Sequence, residues 1–295
     1  MPVQCKKPMG VNYRHAFHAG NPADVLKHAL LVGLVRAFQR KETGFLFVDT
    51  HAGRGRYDLS LAAEGDTRPR RPEWPGGIGA LWDRADVPPG VADYLGIVRA
   101  FDRGQGNLAA TPRFYPGSPR IAHAMAREQD RLELWEKQPA ECAALRDEFK
   151  GVRRVSVHGE DGYGAIRACL PPRERRALVL IDPPYESQGE WAAVAAAVGE
   201  GVGRFPGGTT AVWYPLTERA GAEGFLDSVR ALGLPSLAVE LVTEPAGPGM
   251  RGSGVAVINP PWQFEDGAST TAAYLASALA RGAAAHGSLR WIVPR

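Results

Sequence analysis

The chain has 295 residues, with 35 lysines and arginines against 32 aspartates and glutamates, a formal net charge of +3. Hydrophobic residues at 44% and charged residues at 23% exclude a disordered or fibrous chain. A chain of this length buries a core large enough to fold without disulfide or metal staples, as about two domains or one with an insertion.

Cys5, Cys142 and Cys169 form no C-x-x-C pair, which suits a reducing cytosol. The opening MPVQCKKPMG lacks the apolar core of a secretory signal. The apolar stretch at 29–35 stops at Arg36, too short to span a bilayer. A cytoplasmic protein that does not enter membranes is expected.

Asn21-Pro22-Ala23-Asp24 starts a helix: Asn21 caps, Pro22 fits the first helical position and Asp24 complements the dipole. Leu26, Leu30 and Leu34 then recur at helical spacing to about Arg40. The apolar run 44–48 reads as a strand buried on both faces, ending at Asp49-Thr-His-Ala-Gly53-Arg-Gly55. Residues 60–111 change character, with Arg and Pro clustered at 67–72 and helical stretches around Ile78, Leu81, Trp82 and 94–101. They read as a small helical insertion. Strands follow at 132–135, 155–157 and 177–181, then a helix at 191–203, a strand at 209–213 and a helix at 217–232. Two late strands at 237–243 and 254–258, a helix around Tyr274 and a strand at 290–293 complete the chain. Strands alternating with helices predict a doubly wound α/β sheet.

In such sheets ligands sit beyond the carboxyl ends of the strands. Here the early strands end on acids: Asp49, Glu136, Asp161 and Asp182. Gly53 and Gly55 after the first strand allow a tight turn and close approach of backbone to a nucleotide-like ligand. The absence of a full G-x-G-x-x-G and of a P-loop lysine disfavours NAD and ATP. Glu136 is placed to accept from two ribose hydroxyls and Asp161 from an exocyclic amine, a pattern that suits S-adenosylmethionine.

Asp182-Pro183-Pro184-Tyr185 carries the strongest signal. Its prolines remove N–H donors and hold a rigid turn with outward carbonyls. The amine of adenine is a poor nucleophile because its lone pair is delocalised into the ring. A carboxylate and a prolyl carbonyl accepting its two hydrogens draw that pair towards an electrophilic methyl. Tyr185 can stack on the base, which must be flipped or single-stranded to arrive.

A rival arrangement is a zinc or manganese hydrolase built on His15, His18, Asp24 and His28 with Asp49 and His51, which leaves the Asp182 tetrad without work. Basic residues cluster at Lys6, Lys7, Arg14, Arg54, Arg56, Arg68, Arg70, Arg71, Arg153, Arg154, Arg173, Arg175 and Arg176. Tyr13, Phe17, Tyr57 and Trp74 lie among them as candidates for RNA stacking. Trp213-Tyr214-Pro215 and Asn259-Pro260-Pro261-Trp262 read as rigid pocket walls.

The segments 13–21 and 23–28, Asp49-Thr-His-Ala-Gly53, 115–119, Asp182-Pro-Pro-Tyr-Glu186 and the closing Trp291-Ile-Val-Pro294 resemble the RlmJ family, bacterial 23S ribosomal RNA adenine-N6 methyltransferases. The resemblance runs from Tyr13 to the last residues. It implies a Rossmann-like class I methyltransferase fold, formed by 1–59 and 112–295 with the N-terminal motif segment at 13–40, interrupted by the insertion at 60–111. It implies S-adenosylmethionine as cofactor, no metal, and 23S ribosomal RNA, naked or partly assembled, as substrate, with no obligate protein partner. The family's cofactor contacts fall on His28, His51, Ser118, Glu136, Asp161, Gly162 and Asp182. The catalytic tetrad is Asp182, Pro183, Pro184 and Tyr185, and the segment that closes over the substrate contributes Tyr13, His15 and Lys27. Within this reading the nearest alternatives are a DNA adenine-N6 methyltransferase, the metallohydrolase, and an RNA-binding module without catalysis.

Overall fold

The computed structural model describes residues 17–61, 72–187, 189–217, 219–243 and 250–295. The strands are β1 (Leu46–Asp49), β2 (Arg56–Asp58), β3 (Phe114–Pro116), β4 (Arg131–Trp135), β5 (Val155–His158), β6 (Ala177–Ile181), β7 (Thr209–Pro215), β8 (Ser236–Val242), β9 (Gly252–Ile258) and β10 (His286–Val293). The α-helices are α1 (Pro22–Gln39), α2 (Ile78–Leu81), α3 (Pro89–Gly104), α4 (Ser118–Met125), α5 (Pro139–Glu148), α6 (Gly164–Cys169), α7 (Glu190–Arg204), α8 (Arg219–Arg230) and α9 (Phe264–Ala278).

Eight strands form one sheet in the order β10-β8-β9-β7-β6-β1-β4-β5. The five from β5 to β7 are parallel, and β9 and then β8 and β10 join by antiparallel pairing. The chain enters at β1, steps outward through β4 to β5, and returns to β6 on the other side of β1. That reversal creates a crevice at the carboxyl ends of β1 and β6, where open α/β sheets hold their ligands. The expected doubly wound, Rossmann-like arrangement is the one formed.

β1 and β6 are buried at every position, as strands covered on both faces are. Side-chain alternation decides what each face receives. Leu46, Val48, Val179 and Ile181 pack with α7 and α8 residues such as Val194, Val198 and Phe225. Phe47, Leu178 and Leu180 pack with α1 residues such as Leu26, Leu30 and Leu34. Asp49 follows Phe47 and Asp182 follows Leu180 in this alternation, so both acids belong to the α1 face.

α1 starts as the sequence predicts: the Asn21 side chain accepts from the Asp24 N–H, and Pro22 occupies the first turn. Thirteen of its 18 residues are buried, because the sheet lies on one side and α3 and α9 pack on others. The described part of the 60–111 segment is helical, and its Ile78, Leu81, Val91, Tyr94, Leu95 and Val98 share the core of α1 and the sheet. The antiparallel ribbon of β2 and β3 brackets this segment and escapes sequence periodicity, since each strand is three residues long. No helix among the described residues is long and apolar enough to cross a membrane.

Candidate active site

The four strand-end acids gather at one edge of the sheet. Asp49 ends β1 and is fully buried. Glu136 follows β4 and Asp182 follows β6, while Asp161 lies exposed in the turn after β5.

Lys27 binds the centre of this edge to α1. Its ammonium lies 2.8 Å from Asp24 Oδ1 and 2.5 Å from Asp182 Oδ2, with 5% of its side chain exposed. Burial works against the charge on Lys27, but Asp182 and Asp24 outweigh it and hold its pKa above the ordinary lysine value. The second oxygen of Asp24 accepts from the Gly20 N–H at 3.0 Å, so Asp24 also fixes the chain as it enters the helix.

Asp49 Oδ2 accepts from Ser118 Oγ at 2.6 Å, and its other oxygen accepts from the His51 N–H at 3.2 Å. Burial nevertheless pushes its pKa up to about 7, and the nearby Asp182 adds to the shift against those hydrogen bonds. Glu136 accepts from the Gly53 N–H at 2.9 Å and the Gln138 N–H at 2.7 Å, one on each oxygen. Burial raises its pKa against both bonds. Its remaining lone pairs can still accept hydroxyls.

The loop after β1 takes its shape from Gly53 and Gly55, both at positive φ (+60° and +79°), a region that glycine enters without steric cost. Gly162 has a different reason to be glycine: a Cβ there would lie 1.7 Å from the Thr50 carbonyl oxygen. It lets the Asp161 turn close against the end of β1. His51 sits between these loops, its Nδ1 2.8 Å from Thr50 Oγ1 and its ring edge-on to Tyr163 at 5.2 Å. Burial and then Lys137 depress its pKa to about 4.

In the tetrad, Pro183 is buried and Tyr185 adopts φ +51°, a strained conformation that clusters at functional sites. Its hydroxyl donates to the Trp213 carbonyl at 3.0 Å, and its ring packs on Trp191 at 4.5 Å. These contacts hold the backbone in place.

The structure brings Asp182, Lys27, Ser118 and His51 to the same edge through these bonds, with Glu136, Asp161 and Gly162 in the adjoining loops. His28 lies deeper: its Nδ1 is 2.7 Å from the Tyr115 hydroxyl, which is 2.9 Å from that of Tyr94. Tyr13 and His15 lie outside the described residues, as do Lys6, Lys7, Arg14, Arg68, Arg70 and Arg71. Among the described residues of the metallohydrolase alternative, His18 lies 2.9 Å from Glu73 and Asp24 binds Lys27. No group of three potential ligands exists among the described residues.

Two expectations are corrected. Phe17 and Tyr57 are buried, 5% and 4% exposed, so they close the core and offer no ring for RNA stacking. Asn259-Pro260-Pro261-Trp262 follows β9, which runs antiparallel to β7, so it lies at the sheet edge opposite Asp182 and walls no part of the crevice. Sequence reasoning also gave Asp24 only a helix-dipole and metal role and assigned no bond between Asp49 and Ser118. The spacing of Asp24 and Lys27 on one helix face amid apolar neighbours was the available signal for the ion pair.

Comparison with known proteins shows the family. The family described as Ribosomal RNA large subunit methyltransferase D, RlmJ, matches residues 42–293. Ribosomal RNA large subunit methyltransferase J of Escherichia coli (strain K12) is 41% identical over 288 residues, 96% of this chain and 99% of that protein. Its namesake in Haemophilus influenzae is 39% identical over 287 residues, with the same coverage. The crystal structure of a Legionella pneumophila protein superposes with a TM-score of 0.82 at 34% identity, covering 93% of this chain and 97% of that one. The chain belongs to the RlmJ family of ribosomal RNA large subunit methyltransferases.

Proposed function

We propose that this protein transfers a methyl group from S-adenosylmethionine to N6 of an adenine in 23S ribosomal RNA. The observation that carries the reading is Asp182: a carboxylate at the carboxyl end of a central strand, in a rigid Asp-Pro-Pro-Tyr turn, with one oxygen fixed by Lys27.

The donor set suits the cofactor. Asp49, buried beside a second carboxylate, lacks the positive charge that a sulfonium and an α-ammonium bring. Glu136 has lone pairs left for ribose hydroxyls, and Asp161 offers an exposed carboxylate to an exocyclic amine. His28, His51, Ser118 and Gly162 complete the shell in this reading. When bound, the cofactor supplies an electrophilic methyl.

The protein's own residues handle the amine. Asp182 and the Pro183 carbonyl accept the two hydrogens of N6, which turns the lone pair out of conjugation. Pro184 stiffens that turn, and Tyr185, anchored through its hydroxyl, offers its remaining face to a flipped base. Lys27 holds the carboxylate in one orientation, while Tyr13 and His15 belong to the segment that closes over the substrate. Rate enhancement comes from positioning and electrostatics.

Residues 1–59 and 112–295 form the catalytic domain in this reading, and 60–111 an insertion within it. The substrate is naked or partly assembled RNA in the cytoplasm. Tritiated methyl transfer to 23S ribosomal RNA and to duplex DNA tests the proposal, followed by mapping of the modified base. Transfer to DNA alone, or to a position other than N6 of adenine, overturns it.

A further inference from the structure

Trp213 stands beside Asp182. Ile181 and Val212 are the last paired positions of β6 and β7, so the next residue of each strand, Asp182 and Trp213, lie side by side. Trp213 packs on the α1 face of the sheet with Leu180 and Ala211, the face from which Lys27 reaches Asp182. The Tyr185 ring meets the Trp213 ring edge-on at 5.8 Å. Yet the indole N–H of Trp213 is buried without a hydrogen-bond partner among the described residues. Buried donors are almost always paired, and an exception calls for a functional or structural reason.

We propose that Trp213 is a specificity-determining residue that donates its indole N–H to N1 of the target adenine. The inference rests on the reading of Asp182 given above. Two acceptors, the Asp182 carboxylate and the Pro183 carbonyl, match the two hydrogens of the amine. Adenine carries one acceptor, N1, next to that amine on its Watson–Crick edge, the edge by which flipped bases are read. A donor alongside the two acceptors completes the complement to that edge. Guanine places an N–H where adenine has N1, so it sets donor against donor and is rejected.

The test uses an RNA fragment that the wild-type protein methylates, with the target adenosine replaced by 1-deazaadenosine or 7-deazaadenosine. These are assayed for kcat/KM with the wild type and with Trp213→Phe. The wild type loses roughly tenfold on the 1-deaza substrate, the value of one hydrogen bond. Trp213→Phe loses roughly tenfold on adenosine and is indifferent to the 1-deaza change, so the combined loss stays near tenfold. Wild-type indifference to 1-deazaadenosine overturns the proposal, as do losses that multiply to roughly a hundredfold or a loss confined to 7-deazaadenosine. Should Trp213→Phe not fold, 3-benzothienylalanine at position 213 replaces the N–H by sulfur in a ring of similar shape and gives the same comparison. Transfer to unmodified RNA by the wild type and its loss in Asp182→Ala test the Asp182 reading in the same assay, so the two failures are distinguishable.

Discussion

Lys27 on the first helix holds Asp182 across 155 positions of sequence, Nζ to Oδ2 at 2.5 Å, and holds Asp24 at 2.8 Å with the same ammonium. One buried cation therefore ties the start of the first helix to the Asp-Pro-Pro-Tyr turn. Lys27→Met leaves two carboxylates facing each other without it. Removing one partner of a buried pair costs about 3–5 kcal/mol, on the order of 5–15 °C in the unfolding midpoint of a chain this size. Calorimetry checks this. Methyl transfer falls at least a hundredfold, on the scale of a lost positioning contact.

Asp182→Ala separates the two roles. Lys27 keeps Asp24 as its partner, so the fold survives with an unfolding midpoint within a few degrees of the wild type. Methyl transfer drops by about a thousandfold or more, the scale of a lost electrostatic contact to the reacting group. Single-turnover assays with the enzyme in excess over RNA measure it, and retained activity removes Asp182 from the mechanism.

Asp49 and His51, two residues apart, pull the pH dependence of stability in opposite directions. Burial raises the Asp49 carboxyl to about 7, so the folded state holds a proton that the unfolded state has lost. The contribution of this group is full below about pH 4 and declines as pH rises to about 7. Burial lowers the His51 imidazole to about 4, so the unfolded state binds the proton first. Its contribution grows as pH rises from about 4 to about 6.5. The two nearly cancel in the intact protein. Relative to the wild type, Asp49→Asn steepens the rise of stability with pH between about 4 and 6.5, and His51→Gln tilts the curve downward. Urea unfolding of the free protein at closely spaced pH values measures both slopes, and parallel curves contradict the assignment.

Gly162→Ala sets a methyl where the Thr50 carbonyl oxygen stands, 1.7 Å away. The turn carrying Asp161 must withdraw from the end of β1. S-adenosylmethionine affinity falls roughly tenfold or more while the sheet remains intact. Isothermal titration with the cofactor reports the first effect and far-ultraviolet circular dichroism the second.

The parts of this molecule legible in sequence are those written in neighbouring residues. Continuous apolar runs leading to Asp49 and Asp182 identified the central strands, and Asn21 with Pro22 marked where α1 begins. Contacts that join distant segments left weaker traces. Ser118 meets Asp49 across 69 positions, and nothing local to either residue shows it. Arginines beside Phe17 and Tyr57 suggested exposed rings, but burial of an aromatic depends on what the tertiary fold sets over it. The direction of β9 misled in the same way: a Pro-Pro motif after a strand looks alike whether the strand runs with the sheet or against it.

The burial of α1 has a consequence for how the chain comes to be folded. During synthesis this helix emerges apolar on most sides and carrying a lysine whose counter-ion in the Asp-Pro-Pro-Tyr turn follows only 155 residues later. β9, against which α1 also packs, is made later still. Contacts of such long sequence separation form slowly, so the nascent protein must keep a sticky segment unsatisfied until β6 and β9 are made. A ribosome-bound chain halted before β6 is expected to engage holdase chaperones through residues 22–39 and to release them once the sheet closes.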